Sequence, residues 1–378
     1  MSSVSEAMCD ALATAGIARV WTVGAAAIDG FLDTARGYPG LAVEGVATEK
    51  TAGFAADGGT RVAPILGVCA VMGSVGLGVA LVTIQTAVLE RRPVLFLIGQ
   101  VDADAPPRDL QDTRESGSRD AAVVAATGCA SWSIHSPREL HEAWRDVSAT
   151  LAQSHPAALL VDESVFRSAA IGPLAPLLPT TPEVNPVVVG DTAAEQVRDS
   201  GDSALTRAAL FRAVAAVAPG ADVFADAGQA RLVGAGLAAG GLAVRLHQCP
   251  RSASLGWAVP AALGGAVTVG RPVYAVCGDG GLLHSLSALA ELGRRSLPVT
   301  VLVAVNGILG VDAARGPVVP ADLGVPEVDF MGLARSVGVP AITAHTATDL
   351  ATALTHRAGP LLIVAAVPAF ESAPVPQL

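Results

Sequence analysis

The sequence predicts an α/β protein built from two doubly wound parallel-sheet domains, and three observations carry that expectation. Short β-rich runs alternate with alanine-rich amphipathic stretches along most of the chain, the pattern of parallel sheets covered by helices on both faces. At 378 residues with 51% hydrophobic content, the chain is long enough for two buried cores. The alternation stops once, between residues 171 and 203, where Pro173, Pro176, Pro179, Pro182 and Pro186 disfavour helix and central strand alike.

Before that gap, residues 19–23, 65–71, 94–98 and 157–161 read as strands. After it, residues 222–225, 273–277, 299–305 and 361–367 read as strands, and 285–295 and 329–337 as helices. The expected division is a first domain over 1–168, a linker over 169–203, a second domain over 204–370 and a loose tail over 371–378.

Composition narrows the function classes. A net charge of −10 leaves no general basic surface for a phosphate backbone, so nucleic acid is not an expected partner. Five cysteines lie scattered without metal-type spacing and read as reduced core residues of a cytoplasmic protein. The first residues carry Glu6 and Asp10 and no basic run before an apolar core, so no secretory signal is expected. Residues 62–89 hold no charge, but Pro64, Gly67, Gly73, Gly76 and Gly78 fit a buried strand, a turn and a buried helix better than a membrane span.

Candidate chemistry begins where the apolar run 273–277 ends in Gly278-Asp279-Gly280-Gly281. An acid at a strand's carboxyl end, between glycines that let backbone approach a ligand, suits a metal-bridged phosphate; an ordinary strand-to-helix turn with Asp279 as a cap explains the triplet as well. Asn306 closes the next apolar run 27 residues later and is placed to meet Asp279 at the same sheet edge. A carboxylate, a side-chain amide and a backbone carbonyl supply the oxygen ligands that a hard cation such as Mg²⁺ prefers.

This GDG-to-Asn pattern resembles the thiamine diphosphate motif of the pyruvate decarboxylase and acetolactate synthase superfamily. The resemblance implies that Asp279, Asn306 and the carbonyl of Ile308 hold the metal, although the family usually has two asparagines where this chain has Val305-Asn306. Residues 253–264 resemble the segment that grips the cofactor's aminopyrimidine ring, with the Ala253 carbonyl and Leu255 amide as contacts and the Leu255 side chain as the wedge that bends it. Asp226-Ala227-Gly228-Gln229 occupies the place of the first diphosphate-contacting loop. Residues 48–58 resemble the helix that presents the family's activating glutamate, here Glu49, whose carboxyl favours the imino tautomer of the pyrimidine. By its residues alone, Glu49 also fits a solvated acid in a first helical turn.

Several positions depart from the family pattern. No middle domain separates the halves, a plan that looks like the phosphonopyruvate and sulfopyruvate decarboxylases. The loop containing Gly76 resembles theirs, with Val79 where asparagine is usual. No His-His pair occurs; Leu110-Gln111-Asp112 instead resembles the glutamine-bearing loop of acetolactate synthase, and His284 is the histidine nearest the metal motif. Gly24-Ala25-Ala26 replaces a more polar turn, leaving most of the chemistry to the cofactor.

The resemblance implies ylid attack on a small 2-oxo acid, loss of carbon dioxide and an enamine that is protonated to an aldehyde. The two-domain length favours this decarboxylation, with Arg108, Arg114 and Arg251 near enough to hold an anionic three-carbon substrate. Carboligation to a second keto acid, as in acetolactate synthase, is the alternative. A non-catalytic cofactor-binding subunit is a third reading, opposed by Glu49, Asp279 and Asn306 standing in one chain. Because the family's glutamate meets the diphosphate site of another subunit, a homodimer or homotetramer is implied.

Overall fold

The computed structural model describes residues 2–178, 205–313, 321–355 and 359–369. The chain separates into two compact units, Met1–Glu183 and Val184–Leu378. The first holds six parallel strands: β1 (Arg19–Thr22), β2 (Ala42–Gly45), β3 (Gly67–Met72), β4 (Val94–Gln100), β5 (Ala130–Ile134) and β6 (Ala157–Asp162). Their order across the sheet is β2-β1-β3-β4-β6-β5. β3 and β4 are buried along their whole length, which explains their near-continuous apolar runs.

Helices form here for two different reasons. The helix Val4–Thr14 is fixed locally by a capping box between Ser3 and Glu6. The helix Glu49–Val62 contains Gly53, Gly58 and Gly59, poor helix formers; Thr51–Thr60 are all buried, so tertiary packing holds it. The uncharged stretch 62–89 divides into β3 and the helix Val75–Glu90. No described helix is long and apolar enough to cross a membrane.

The expected linker starts later than residue 169. Leu174 and Leu177 are buried in the first unit's core, Ala175 O accepts from Trp144 Nε1 at 2.7 Å, and Leu178 N donates to Ser148 Oγ at 2.9 Å. Two leucine anchors hold this segment on the domain, where its prolines are tolerated because no ladder amide is needed. The rest of the expected linker and the tail 371–378 lie outside the described residues.

The second unit has β7 (Ala221–Ala225), β8 (Val244–His247), β9 (Val273–Gly278), β10 (Val299–Val305), β11 (Ala341–Ala344) and β12 (Leu361–Ala366), all parallel. Their order is β11-β12-β10-β9-β7-β8. Numbered within each unit and read from the same edge, both sheets run 2-1-3-4-6-5, so one topology is used twice. Asp222, buried on β7, binds Arg245, His247 and Arg271. Burial alone would raise its pKa, but the bonds from Arg245 and His247 hold it well below the ordinary carboxylate range.

Candidate active site

In the second sheet the chain leaves β7 outward to β8 and returns on the other side as β9. A topological switch of this kind, at the strands' carboxyl ends, is where open α/β sheets bind ligands. Asp226 follows β7 and Asp279 follows β9, so two acids flank that point. Asp279 is buried; its Oδ1 accepts from Gly280 N at 2.9 Å, and its Oδ2 accepts from Asn306 N at 3.1 Å and Gly307 N at 2.7 Å. Asn306 and Asp279 thus meet at one sheet edge, because β9 and β10 pair in register up to Gly278 and Ala304.

The Asn306 amide is oriented by its Nδ2, which donates to Ala369 O at 3.2 Å, and among the described residues its Oδ1 accepts a long bond from Ile308 N at 3.4 Å. Ile308 bridges antiparallel to Gly324, and Leu309 lies against Gly280. On the β7 side, Gly228 has φ +90 and opens the helix Gln229–Ala239. Gln229 Nε2 donates to Gly310 O at 3.3 Å.

Asp226 ties the pieces together, a role the sequence analysis did not give it. Fully buried, it accepts from Ala227 N, Gly256 N and Trp257 N, each at 3.0 Å. It thereby pins the end of the segment 253–257 to β7, where Ala253 has φ +46 and Gly256 φ +77. Gly256 must be small as well as left-handed: a side chain there would begin 2.5 Å from His284 Cβ. Gly281 is equally constrained, since a side chain would fall on Asp226 Oδ2. Leu255 is half-buried, while His284 is exposed and caps the short helix Asp279–Leu283. The available signal was symmetry: Asp226 closes its apolar strand as Asp279 closes β9.

Burial pushes the Asp226 carboxyl up to about 6, against the pull of the backbone N–H groups of Ala227, Gly256, Trp257 and Ala258. A raised folded-state pKa means that folding takes up a proton between about pH 4 and 6. The contribution to stability is therefore fullest below that window and is lost as pH rises through it. Asp226→Ala leaves buried amides unpaired and is expected to cost about 2–4 kcal/mol of stability. In urea titrations the deficit relative to the unsubstituted protein should be widest near pH 4 and narrow toward pH 7; equal stability at both would contradict this.

In the first unit, Glu49 starts its helix behind the cap Thr48, whose side chain accepts from Thr51 N at 3.2 Å. A side chain at Gly76 would begin 3.3 Å from Glu49 Oε1, so the carboxylate lies against the first turn of the helix Val75–Glu90. Cys69 is buried behind; burial first, and the Glu49 charge second, push its thiol pKa up. Gln111 adopts φ +54 and accepts through Oε1 from Ala26 N at 3.1 Å, bringing the glutamine loop onto the Gly24–Ala26 turn. Arg108 is bound to Glu163, and Arg114 forks onto Asp112 at 2.7 and 2.8 Å. Of the three arginines expected to hold an anionic substrate, Arg108 and Arg114 are thus each ion-paired with a carboxylate, and Arg251 is exposed.

The residues present fit a metal and a diphosphate. Among the described residues no group of three His, Cys, Asp or Glu side chains could hold a metal, and the candidate set has one carboxylate beside an amide and a backbone carbonyl. Asp279 uses three of about four lone-pair sites, which leaves one on Oδ1 for a cation. Among the described residues, Gln229 Oε1 is buried without a partner beside Gly310, an acceptor that a bound group would satisfy.

Two family models match the chain. Residues 2–116 match the thiamine pyrophosphate enzyme N-terminal TPP binding domain, and 226–365 the C-terminal TPP binding domain. IlvX of Mycobacterium tuberculosis, assigned as an acetolactate synthase large subunit, is 34% identical over 131 residues, covering 30% of this chain and 25% of that protein. Benzoylformate decarboxylase of Pseudomonas aeruginosa is 32% identical over 113 residues, covering 28% of this chain and 21% of that protein. The matched stretches thus span about a quarter or less of those relatives' length.

Among solved structures, the thiamine diphosphate-dependent 4-hydroxybenzoylformate decarboxylase of Rhodococcus jostii RHA1 shares the fold at TM-score 0.77 and 16% identity, over 98% of this chain and all of that one. An assigned thiamin diphosphate-dependent enzyme from Mycobacterium smegmatis gives TM-score 0.76 and 16% identity, over 97% of this chain and 99% of that one. With both halves of the chain matched and the strand-end loops assembled at the switch point, this chain belongs to the thiamine pyrophosphate enzyme family.

Proposed function

We propose that this chain is a thiamine diphosphate- and Mg²⁺-dependent non-oxidative decarboxylase of a small 2-oxo acid. The observation that carries this reading is the convergence of Asp279, Asn306 and the Asp226-pinned segment at one sheet edge. Asp279, Asn306 and the Ile308 carbonyl would hold the metal, and Gly228, Gln229 and Gly278–Gly281 would receive the diphosphate. Ala253 and Leu255 would grip the aminopyrimidine. When bound, the cofactor supplies an electron sink for the carbanion left by loss of carbon dioxide. Glu49 would hold the proton at the pyrimidine nitrogen, and Gln111 and His284 are the other candidate catalytic side chains.

The substrate substituent is best read as uncharged. Arg108 and Arg114 are paired with carboxylates, and the Gly24–Ala26 turn met by Gln111 carries nothing larger than a methyl group. Benzoylformate and 4-hydroxybenzoylformate decarboxylases among the similar proteins support the same choice over phosphonopyruvate or sulfopyruvate. The chain works as a homodimer or homotetramer; the exposed face of the helix Val75–Glu90, with Val75, Val79, Val82 and Leu89, is uncharged and suits a second copy. Five buried cysteines, none of them in a disulfide, favour a cytoplasmic site.

The test is carbon dioxide release by purified protein with thiamine diphosphate and Mg²⁺, on benzoylformate, 4-hydroxybenzoylformate, pyruvate, phosphonopyruvate and sulfopyruvate. An aldehyde from an uncharged aryl substrate is expected. Product masses showing two joined keto acids would replace decarboxylation by carboligation, and no release from any of them would overturn the reading.

A further inference from the structure

One buried carboxylate in the first unit has no part in the chemistry above, yet three segments that surround Glu49 and Gln111 converge on it. Asp120 is 6% exposed. Its Oδ2 accepts from Ser74 N at 2.8 Å, from Gln100 Nε2 at 3.1 Å and from Ser116 Oγ at 3.3 Å. Each donor is neutral, so the charge on the acceptor makes these bonds stronger than ordinary ones.

The three donors have distinct positions. Ser74 precedes the helix Val75–Glu90 with φ 55 and ψ −105, a conformation that L residues rarely adopt, and its side chain makes no cap bond. The bond from Ser74 N to Asp120 holds the backbone two residues before Gly76, which lies against the Glu49 carboxylate. Gln100 is the last residue of β4 and Ser116 the last before the helix Gly117–Ala126. They are the two ends of the loop that carries Gln111. Gly73 completes the fit, because a side chain there would begin 2.5 Å from Asp120 Oδ2.

We propose that Asp120 is a positioning residue for the site: one carboxylate clamps the helix start that backs Glu49 to both ends of the loop bearing Gln111. It touches neither substrate nor cofactor and acts through those two side chains. The part concerning turnover rests on the proposed function; the clamp itself does not.

Asp120→Ala removes the oxygen that receives the three donors, whereas the amide oxygen of Asp120→Asn could still accept them. In the full-length Asp120→Ala protein without added cofactor, hydrogen exchange should quicken by about tenfold or more at Ser74 and across 101–116, while β3 and β4 keep their protection. In the active protein, kcat should fall at least about tenfold with little change in KM. The same substitution made on Glu49→Gln should add less than it costs alone, since the part of its effect that runs through Glu49 is already lost.

Unchanged exchange at Ser74 and the loop overturns the proposal, as does a kcat loss that adds in full to that of Glu49→Gln. If Asp120→Ala does not fold, Gly73→Ala presses on the same oxygen while leaving the carboxylate in place, and must give the same local pattern. A protein that releases no carbon dioxide from any 2-oxo acid defeats the functional reading; the exchange measurement then decides the clamp alone.

Discussion

Glu49→Gln is expected to lower turnover by about two powers of ten or more, within the usual span of a general acid–base residue. The substitution preserves size, helix position and a hydrogen bond, and removes only the ionisable group. Glu49 stands in the first unit against Gly76, whereas the proposed metal and diphosphate contacts lie on the second unit's strand ends. Cofactor affinity should therefore fall far less than kcat, the signature of an interaction that matters mainly for activation. Steady-state kinetics at saturating cofactor and calorimetry on the same preparation test both halves. Near-normal turnover would remove Glu49 from the mechanism, and a loss confined to affinity would make it a binding residue.

Asp279→Ala is expected to abolish Mg²⁺-dependent binding of thiamine diphosphate. Two effects coincide there. The substitution removes the one carboxylate of the proposed metal set, and it frees the Gly280, Asn306 and Gly307 amides that the carboxylate now fixes. Asp279→Asn separates the two, since an amide oxygen still accepts from backbone while the charge is gone. Binding should then drop below detection with a smaller loss of thermal stability. Calorimetric titration of cofactor with and without Mg²⁺ is the measurement; either variant binding as tightly as the unsubstituted protein would refute the metal assignment.

What was legible in the sequence divides along a physical line. All eight strands read from it, including β1, β3, β4 and β6 of the first sheet, are interior strands. Most are buried on both faces and so had to be written as apolar runs. The four it did not supply, β2, β5, β8 and β11, are the edge strands of the two sheets. Each is four or five residues long and largely exposed or half-exposed, so the hydrophobic pattern that marks a strand is weak there.

The candidate site divides the same way. Spacing alone brought Asp279 and Asn306 to one edge, because adjacent parallel strands in register deliver their last residues together. By itself the sequence determined the α/β class, the two halves and the residue types that suit a metal-bridged diphosphate. Only the tertiary structure decided that Asp226 pins the 253–257 segment, that Asp120 gathers Ser74, Gln100 and Ser116, and that Arg108 and Arg114 are spent on Glu163 and Asp112. These are contacts of single side chains with distant backbone or with a partner chosen by loop geometry. No local period encodes them, since their energy depends on where the rest of the chain has already folded.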